Sequence, residues 1–202
     1  MKELLLNTKK NIEELTENLV ASLSFNNKEF TYPEIDKLIP NKDIVKLLIP
    51  LMNGDEEIDA SELTAILLYT SQKNQIEKYS DIFLGVALTE MYHYDRLQEL
   101  IKQLGGKFNQ FYTNQEAQKI GTTPKEALQI AINAENQTII NIQEVINKIS
   151  KITSYPQRTT IIQFLSKILE DEKVHLEIFQ KYLVQESMQD LVESKSEIKI
   201  NI

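Results

Sequence analysis

Four segments of the chain carry apolar residues at alternating spacings of three and four, the pattern of helices that bury one face. The pattern predicts helix A over about residues 56–77 and helix B over 81–104. It predicts helix C from Thr123 to the break at 153–156, and helix D from that break to about residue 185. We therefore predict an all-α fold whose centre is a four-helix bundle.

The links between these segments predict how the helices are connected. Only Tyr79 and Ser80 separate helices A and B, so these two helices should be antiparallel neighbours. Gly105-Gly106 should end helix B, and a long connection over 105–123 follows it. Such a segment is long enough to cross from one end of the bundle to the other, because extended chain spans about 3.3 Å per residue.

The remaining parts of the chain flank the bundle. Residues 1–44 are predicted to form an extra amphipathic N-terminal helix and an irregular lead-in, and residues 45–185 contain the bundle. Residues 186–202 form a polar tail in which isoleucines alternate with polar residues. This tail is predicted to fray or to form a short edge strand.

Composition narrows the class of protein. The chain has 202 residues, 42% of them hydrophobic, with five glycines and five prolines, which favours a single helical domain. A net charge of −8 argues against nucleic acid or an anionic membrane as a partner. The absence of cysteine excludes disulfides and thiol chemistry, and no apolar run approaches the ~20 residues of a membrane span. We expect a soluble cytoplasmic protein.

One glutamate interrupts the otherwise apolar face of each predicted helix. The only two histidines each follow one of these glutamates by three residues, so the pair lies on one helix face. Four buried carboxylates would repel one another unless they take up protons or cations. Together with two imidazoles they suit two divalent ions of iron or manganese. The candidate ligands are Glu62, Glu90, His93, Glu135, Glu172 and His175.

Each single signal has an ordinary alternative. A lone Glu-x-x-His pair is usually a solvated surface pair, and a bare helical interaction module would turn the acidic positions to solvent.

Tyr69 and Tyr92 lie within two turns of candidate ligands, where they could donate hydrogen bonds to carboxylates, act as redox-active phenols or only pack in the core. The complete set matches the arrangement of di-iron and di-manganese bundles, with Glu on two helices and Glu-x-x-His on the other two.

These segments resemble the ferritin-like superfamily, in particular its rubrerythrin and manganese-catalase-like branch. The resemblance covers about residues 45–185 and implies a ferritin-like four-helix bundle with a long crossover between its second and third helices. Asp171 is similar to the acid that orients a ligand histidine in several members. The matching segments are Ser61-Glu62-Leu63-Thr64-Ala65, Glu90-Met91-Tyr92-His93, Leu104-Gly105-Gly106, Ala134-Glu135-Asn136 and Asp171-Glu172-Lys173-Val174-His175. The implied roles are terminal carboxylates at Glu62 and Glu135, bridging or chelating carboxylates at Glu90 and Glu172, and imidazole ligands at His93 and His175.

Two departures distinguish the chain from rubrerythrin itself. Rubrerythrin carries a further glutamate where this chain has Thr138, and a cysteine-rich domain for electron delivery, whereas this chain has no cysteine. Both departures favour a manganese-catalase-like site, which needs no external electron donor. The resemblance thus implies an enzyme with two iron or manganese ions that acts on peroxide or dioxygen. The alternative is a non-catalytic storage or structural protein. We expect a homo-oligomer, with a dimer favoured.

Overall fold

The computed structural model describes residues 25–56, 58, 60–107 and 119–200, and side chains as far as residue 189. Every regular element within these residues is helical, which confirms the all-α fold. The predicted N-terminal helix and residues 108–118 of the long connection lie outside the described residues. In the described part, none of the helices combines the length and apolarity that a membrane crossing requires.

Five α-helices follow one another along the described chain. A 3-10 turn reverses the chain after the second helix, so that the second and third helices pack along each other. The fourth and fifth helices form another packed pair, and the first helix packs across the second, third and fourth. The helices are α1 (Lys42–Asn53), α2 (Glu62–Gln75), α3 (Ser80–Gln103), α4 (Pro124–Ser150) and α5 (Arg158–Ile200), with the 3-10 turn at Glu77–Tyr79.

The start of α2 differs from the prediction. Helical periodicity predicts helix A from about residue 56, but α2 begins at Glu62. Ahead of it the chain turns, because the backbone N–H of Ile58 donates a 2.7 Å hydrogen bond to Asp55 Oδ1. The side chain of Ser61 then caps the helix. Local turn chemistry therefore overrides the apolar spacing, and it places Glu62 in the first turn of α2.

The end of α3 follows the prediction. Gly105 has a φ of 77°, which glycine adopts without steric cost. The backbone N–H of Gly106 donates to Ile101 O at 2.8 Å, and that of Gly105 donates to Lys102 O at 3.0 Å. These two bonds form the Schellman motif that terminates helices.

The last helix is longer than predicted. The segment from residue 186, for which the isoleucine alternation predicts a frayed end or an edge strand, is helical as far as Ile200. It contains no glycine or proline, and its glutamates and lysines are good helix formers. Glu186 is also buried, where it accepts a hydrogen bond from the Tyr79 hydroxyl and pairs with Lys78.

Two apolar clusters fill the bundle. The α1 cluster joins α1 to the C-terminal halves of α3 and α4 and to the start of α5, with Leu48 and Phe164 fully buried. The α2 cluster joins α2 to the opposite halves of the same helices, with Tyr69 and Phe83 fully buried. A middle layer between the two clusters contains the acidic position at the start of α2 and the acidic and histidine positions of α3, α4 and α5.

Candidate metal centre

The structure brings all six predicted ligands together in the middle layer. Each is buried, with at most 2% of its surface exposed. They come from four helices, so no single helix could build the group alone. The six residues are Glu62 on α2, Glu90 and His93 on α3, Glu135 on α4, and Glu172 and His175 on α5.

The six side chains form two overlapping groups of four. In each group, one possible ligand atom from every residue lies within 4.8 Å of the others. Glu90 and Glu172 belong to both groups. Adding Glu62 and His93 to them gives the His93 half of the centre, and adding Glu135 and His175 gives the His175 half.

The two shared glutamates each direct one carboxylate oxygen to each histidine. His93 Nδ1 lies 3.2 Å from Glu90 Oε2 and 3.0 Å from Glu172 Oε1. His175 Nδ1 lies 3.0 Å from Glu90 Oε1 and 3.4 Å from Glu172 Oε2. The two imidazole rings have centroids 6.0 Å apart. This is a suitable arrangement for two ions that share two carboxylates.

Several of these buried atoms make no hydrogen bond to any described residue, even where they lie close together. Burying a polar atom without a partner costs about 1–3 kcal/mol, so a cluster of such atoms needs an explanation. Metal ions would use the lone pairs that hydrogen bonds leave free, and this oxygen-rich donor set fits iron or manganese. The atoms are Glu62 Oε2, Glu90 Oε1, both carboxylate oxygens of Glu172 and both ring nitrogens of His175.

The carboxyl groups of the centre are of two electrostatic kinds. Burial and neighbouring carboxylates raise the pKa of Glu62 and Glu135 well above the usual range. Burial would also raise the pKa of Glu90 and Glu172, but the two imidazoles outweigh it and lower both values. The shared carboxylates are therefore the ones held in the charged form that binds cations.

The pKa values of the two histidines are raised, opposite to those of the shared glutamates. Burial alone would lower their pKa, but the surrounding carboxylates raise that of His93 well above its usual value and that of His175 to about 10. In the metal-free protein, protons on the imidazoles balance the carboxylate charge. Ions binding to the same atoms would displace these protons.

The two predicted tyrosines have different surroundings. The hydroxyl of Tyr69 donates to Glu135 Oε1, which is one of the roles its position predicts, and burial raises the pKa of Tyr69 so that it stays a neutral donor. The ring of Tyr92 meets that of Tyr32 edge-on at 5.9 Å. It lines a pocket of about 640 Å³ between the bundle and the lead-in segment, which we define as residues 25–36. A role for Tyr92 in supporting the ligands stays a prediction.

Asp171 lies directly behind His93. Its Oδ2 is 3.1 Å from His93 Nε2, on the side of the ring that faces away from the shared glutamates. Its Oδ1 accepts hydrogen bonds from Lys167 Nζ and from the backbone N–H of Asn27, both at 2.6 Å. Lys167 and Asn27 are not among the site residues that the sequence predicts. Lys167 could have been found from its i, i+4 spacing to Asp171, whereas Asn27 in the irregular lead-in carries no such signal.

Comparison with known proteins identifies the family of the chain. A family model described as Rubrerythrin matches residues 59–183, which is more than half of the chain and contains all six candidate ligands. Among curated proteins, none matches the chain. With the match over this range and the buried carboxylate–histidine layer inside it, the chain belongs to the rubrerythrin family.

Proposed function

We propose that this protein binds two iron or manganese ions between its bundle helices and uses them to consume hydrogen peroxide. The observation that supports this most strongly is the pair of shared carboxylates. Glu90 and Glu172 each offer one oxygen to the His93 half and one to the His175 half. An isolated ion would not require two carboxylates arranged in this way.

Each half has its own further ligands. Glu62 and His93 would complete one coordination group, and Glu135 and His175 would complete the other. Two iron or manganese ions held there would supply two-electron redox chemistry and Lewis acidity toward a peroxide.

The residues around the ligands hold them in place and limit the access of water. Asp171 accepts from His93 Nε2 and so turns Nδ1 toward the shared glutamates. The neutral Tyr69 hydroxyl holds its proton against Glu135 Oε1 and fixes that carboxylate. The α1 and α2 clusters cover the centre on both sides and exclude bulk water.

Disproportionation is the reaction that the composition favours. It converts two molecules of hydrogen peroxide into two of water and one of dioxygen, with no external reductant. These 202 residues contain no cysteine that could hold a rubredoxin-type iron for electron delivery. Metal binding without turnover is the competing function, since it would use the same ligands.

Metal content and peroxide consumption, measured on one sample purified without chelator, test the proposal. We expect about two iron or manganese ions per chain, by mass spectrometry, together with release of dioxygen from peroxide. Two ions without turnover would favour storage. No ion after anaerobic reconstitution with either metal would overturn the assignment of the centre.

Substitution of the shared ligands provides the residue-level test. Glu90→Ala and Glu172→Ala should each abolish loading, because each removes an oxygen from both halves. Glu170→Ala on α5 is the matched control, since Glu170 pairs with Lys173 outside the centre. Full loading in both ligand variants would contradict the assignment.

A further inference from the structure

Asp171 joins the candidate centre to a part of the chain outside the four bundle helices. Its Oδ1 accepts from Lys167 Nζ and from Asn27 N–H, and Lys167 Nζ also donates to the backbone oxygen of Asn27 at 3.0 Å. The three groups therefore form a closed ring of hydrogen bonds. The remaining oxygen of Asp171 faces His93.

Lys167 is an unusual participant because it is almost fully buried. It is 8% exposed, and lysine is rarely found at this depth without a charged partner. Its partner Asp171 is 2% exposed, so the two charges balance each other inside the protein. Because the Lys167 ammonium lies at Oδ1, Asp171 stays ionised, and its Oδ2 remains a hydrogen-bond acceptor.

The lead-in segment is seated on the bundle at this point by more than one contact. A side chain added at Gly85 would meet the ring of Phe25 at 2.1 Å, so the absence of one lets Phe25 lie directly on α3. The ring of Tyr32 lies 4.7 Å from that of Phe164 on α5. These contacts place the backbone of Asn27 where it closes the ring with Lys167 and Asp171.

The His175 half has no counterpart to this arrangement. His175 Nδ1 faces the shared glutamates, and His175 Nε2 lacks a hydrogen-bond partner among the described residues. A substitution that acts through a hydrogen bond to the outer ring nitrogen, Nε2, should therefore affect His93 and not His175. This asymmetry makes the contribution of Lys167 measurable against an internal reference.

We propose that Lys167 is a positioning residue, which with the lead-in segment holds Asp171 as the acceptor for His93 Nε2–H and thereby fixes His93 Nδ1 as the metal-binding atom. An ionised carboxylate can only accept a hydrogen bond, so Nε2 must donate to it, and Nδ1 is the nitrogen that would give up its proton and offer its lone pair to an ion. The metal part of this proposal rests on the proposed function. The orientation of the His93 ring does not, and it can be measured without metal.

The first test uses metal-free protein. Because the chain has only two histidines, ring ¹⁵N NMR can assign both. We expect the Nε2–H of His93 to exchange slowly with water in the wild type. In Lys167→Met that exchange should become faster while the exchange at His175 is unchanged. Equal exchange at His93 in both proteins would overturn the proposal, whatever the outcome of metal loading.

The second test is a manganese titration followed by electron paramagnetic resonance. In Lys167→Met, one of the two ions should bind about 10–100-fold more weakly and the other should not change. Lys167→Arg should restore the wild-type affinity, and Lys167→Gln, which keeps a donor without the charge, should give an intermediate value. Weakening of both ions equally, or of neither, would overturn the positioning role. Absence of binding to the wild type would refute the proposed function instead.

Lys173→Met is the matched control for both tests. Lys173 makes a side-chain ion pair of the same length, 2.6 Å, with Glu170 on the same helix but at a half-exposed position. Its removal should change neither the exchange at His93 nor the affinity for either ion. A change as large as that of Lys167→Met would show that loss of any lysine on α5 has this effect, and would overturn the proposal.

Discussion

The two halves of the metal centre contain the same ligand types but differ in what supports them. In the His93 half, Asp171 accepts from the outer ring nitrogen, and Lys167 and Asn27 hold Asp171 in turn. In the His175 half, no described residue bonds to the outer ring nitrogen Nε2, and the support acts on the carboxylate, where Tyr69 donates a hydrogen bond to Glu135. One half is thus fixed through its imidazole and the other through its terminal carboxylate. Identical ligand sets therefore need not bind two ions equally.

Removal of one terminal carboxylate should have the largest effect, because it should empty one half of the centre and leave the other half occupied. Glu62→Ala is expected to empty the His93 half and Glu135→Ala the His175 half, each leaving about one ion per chain. Turnover should fall more than ~100-fold in both, because loss of a ligand should exceed the 10–100-fold effect of losing its supporting partner. Ion counting by mass spectrometry measures this. Two ions retained in either variant would show that the halves have been wrongly delimited.

The pH dependence of stability should separate metal-free from metal-loaded protein. The folded-state pKa of His175 is raised to about 10, so the stability gained from its protonation is complete below its usual value of 6.5 and is lost between these pH values. The raised pKa of Glu62 and Glu135 acts in the same direction from their usual value of 4.5 upward. Metal binding requires the deprotonated ligands, so the gain in Tm on adding Mn²⁺ should grow as the pH rises through this window. A pH-independent gain would contradict the assignment of these groups as ligands.

Loss of the Tyr69 hydroxyl should have the smallest effect. In the metal-loaded protein, where Glu135 is ionised, Tyr69→Phe removes a hydrogen bond to a carboxylate. Such a bond is worth about 1.5–3 kcal/mol, which corresponds to a fall in Tm of roughly 3–12 °C for a chain of this size. Ion affinity should weaken in the His175 half alone. Tyr79→Phe is the control, because its hydroxyl donates to Glu186, which belongs to neither half. Equal loss of ion affinity in the two variants would show that Tyr69 has no specific role.

Much of the centre could be predicted because its residues obey the period of a helix. An acid in an apolar stripe, or an acid and an imidazole three residues apart, has a defined face from spacing alone. The contacts of Asn27 could not be predicted, because they join positions 140 and 144 residues apart and one of the partners lies in an irregular segment. The start of α2 and the end of α5 were missed for local reasons. A turn at Asp55 delays the first, and helix propensity extends the second.

The position of the centre between two apolar clusters should determine which parts of the chain unfold together. The α1 and α2 clusters occupy opposite ends of the long helices, and the charged middle layer interrupts apolar contact between them. Without metal, amide protons at the two ends should exchange with deuterium through separate partial openings, each governed by its own cluster. Two ions bound to ligands from four helices would join these ends, so that slow amides throughout the bundle exchange only when the whole domain unfolds. The metal would then set the cooperative unit of the fold as well as its chemistry.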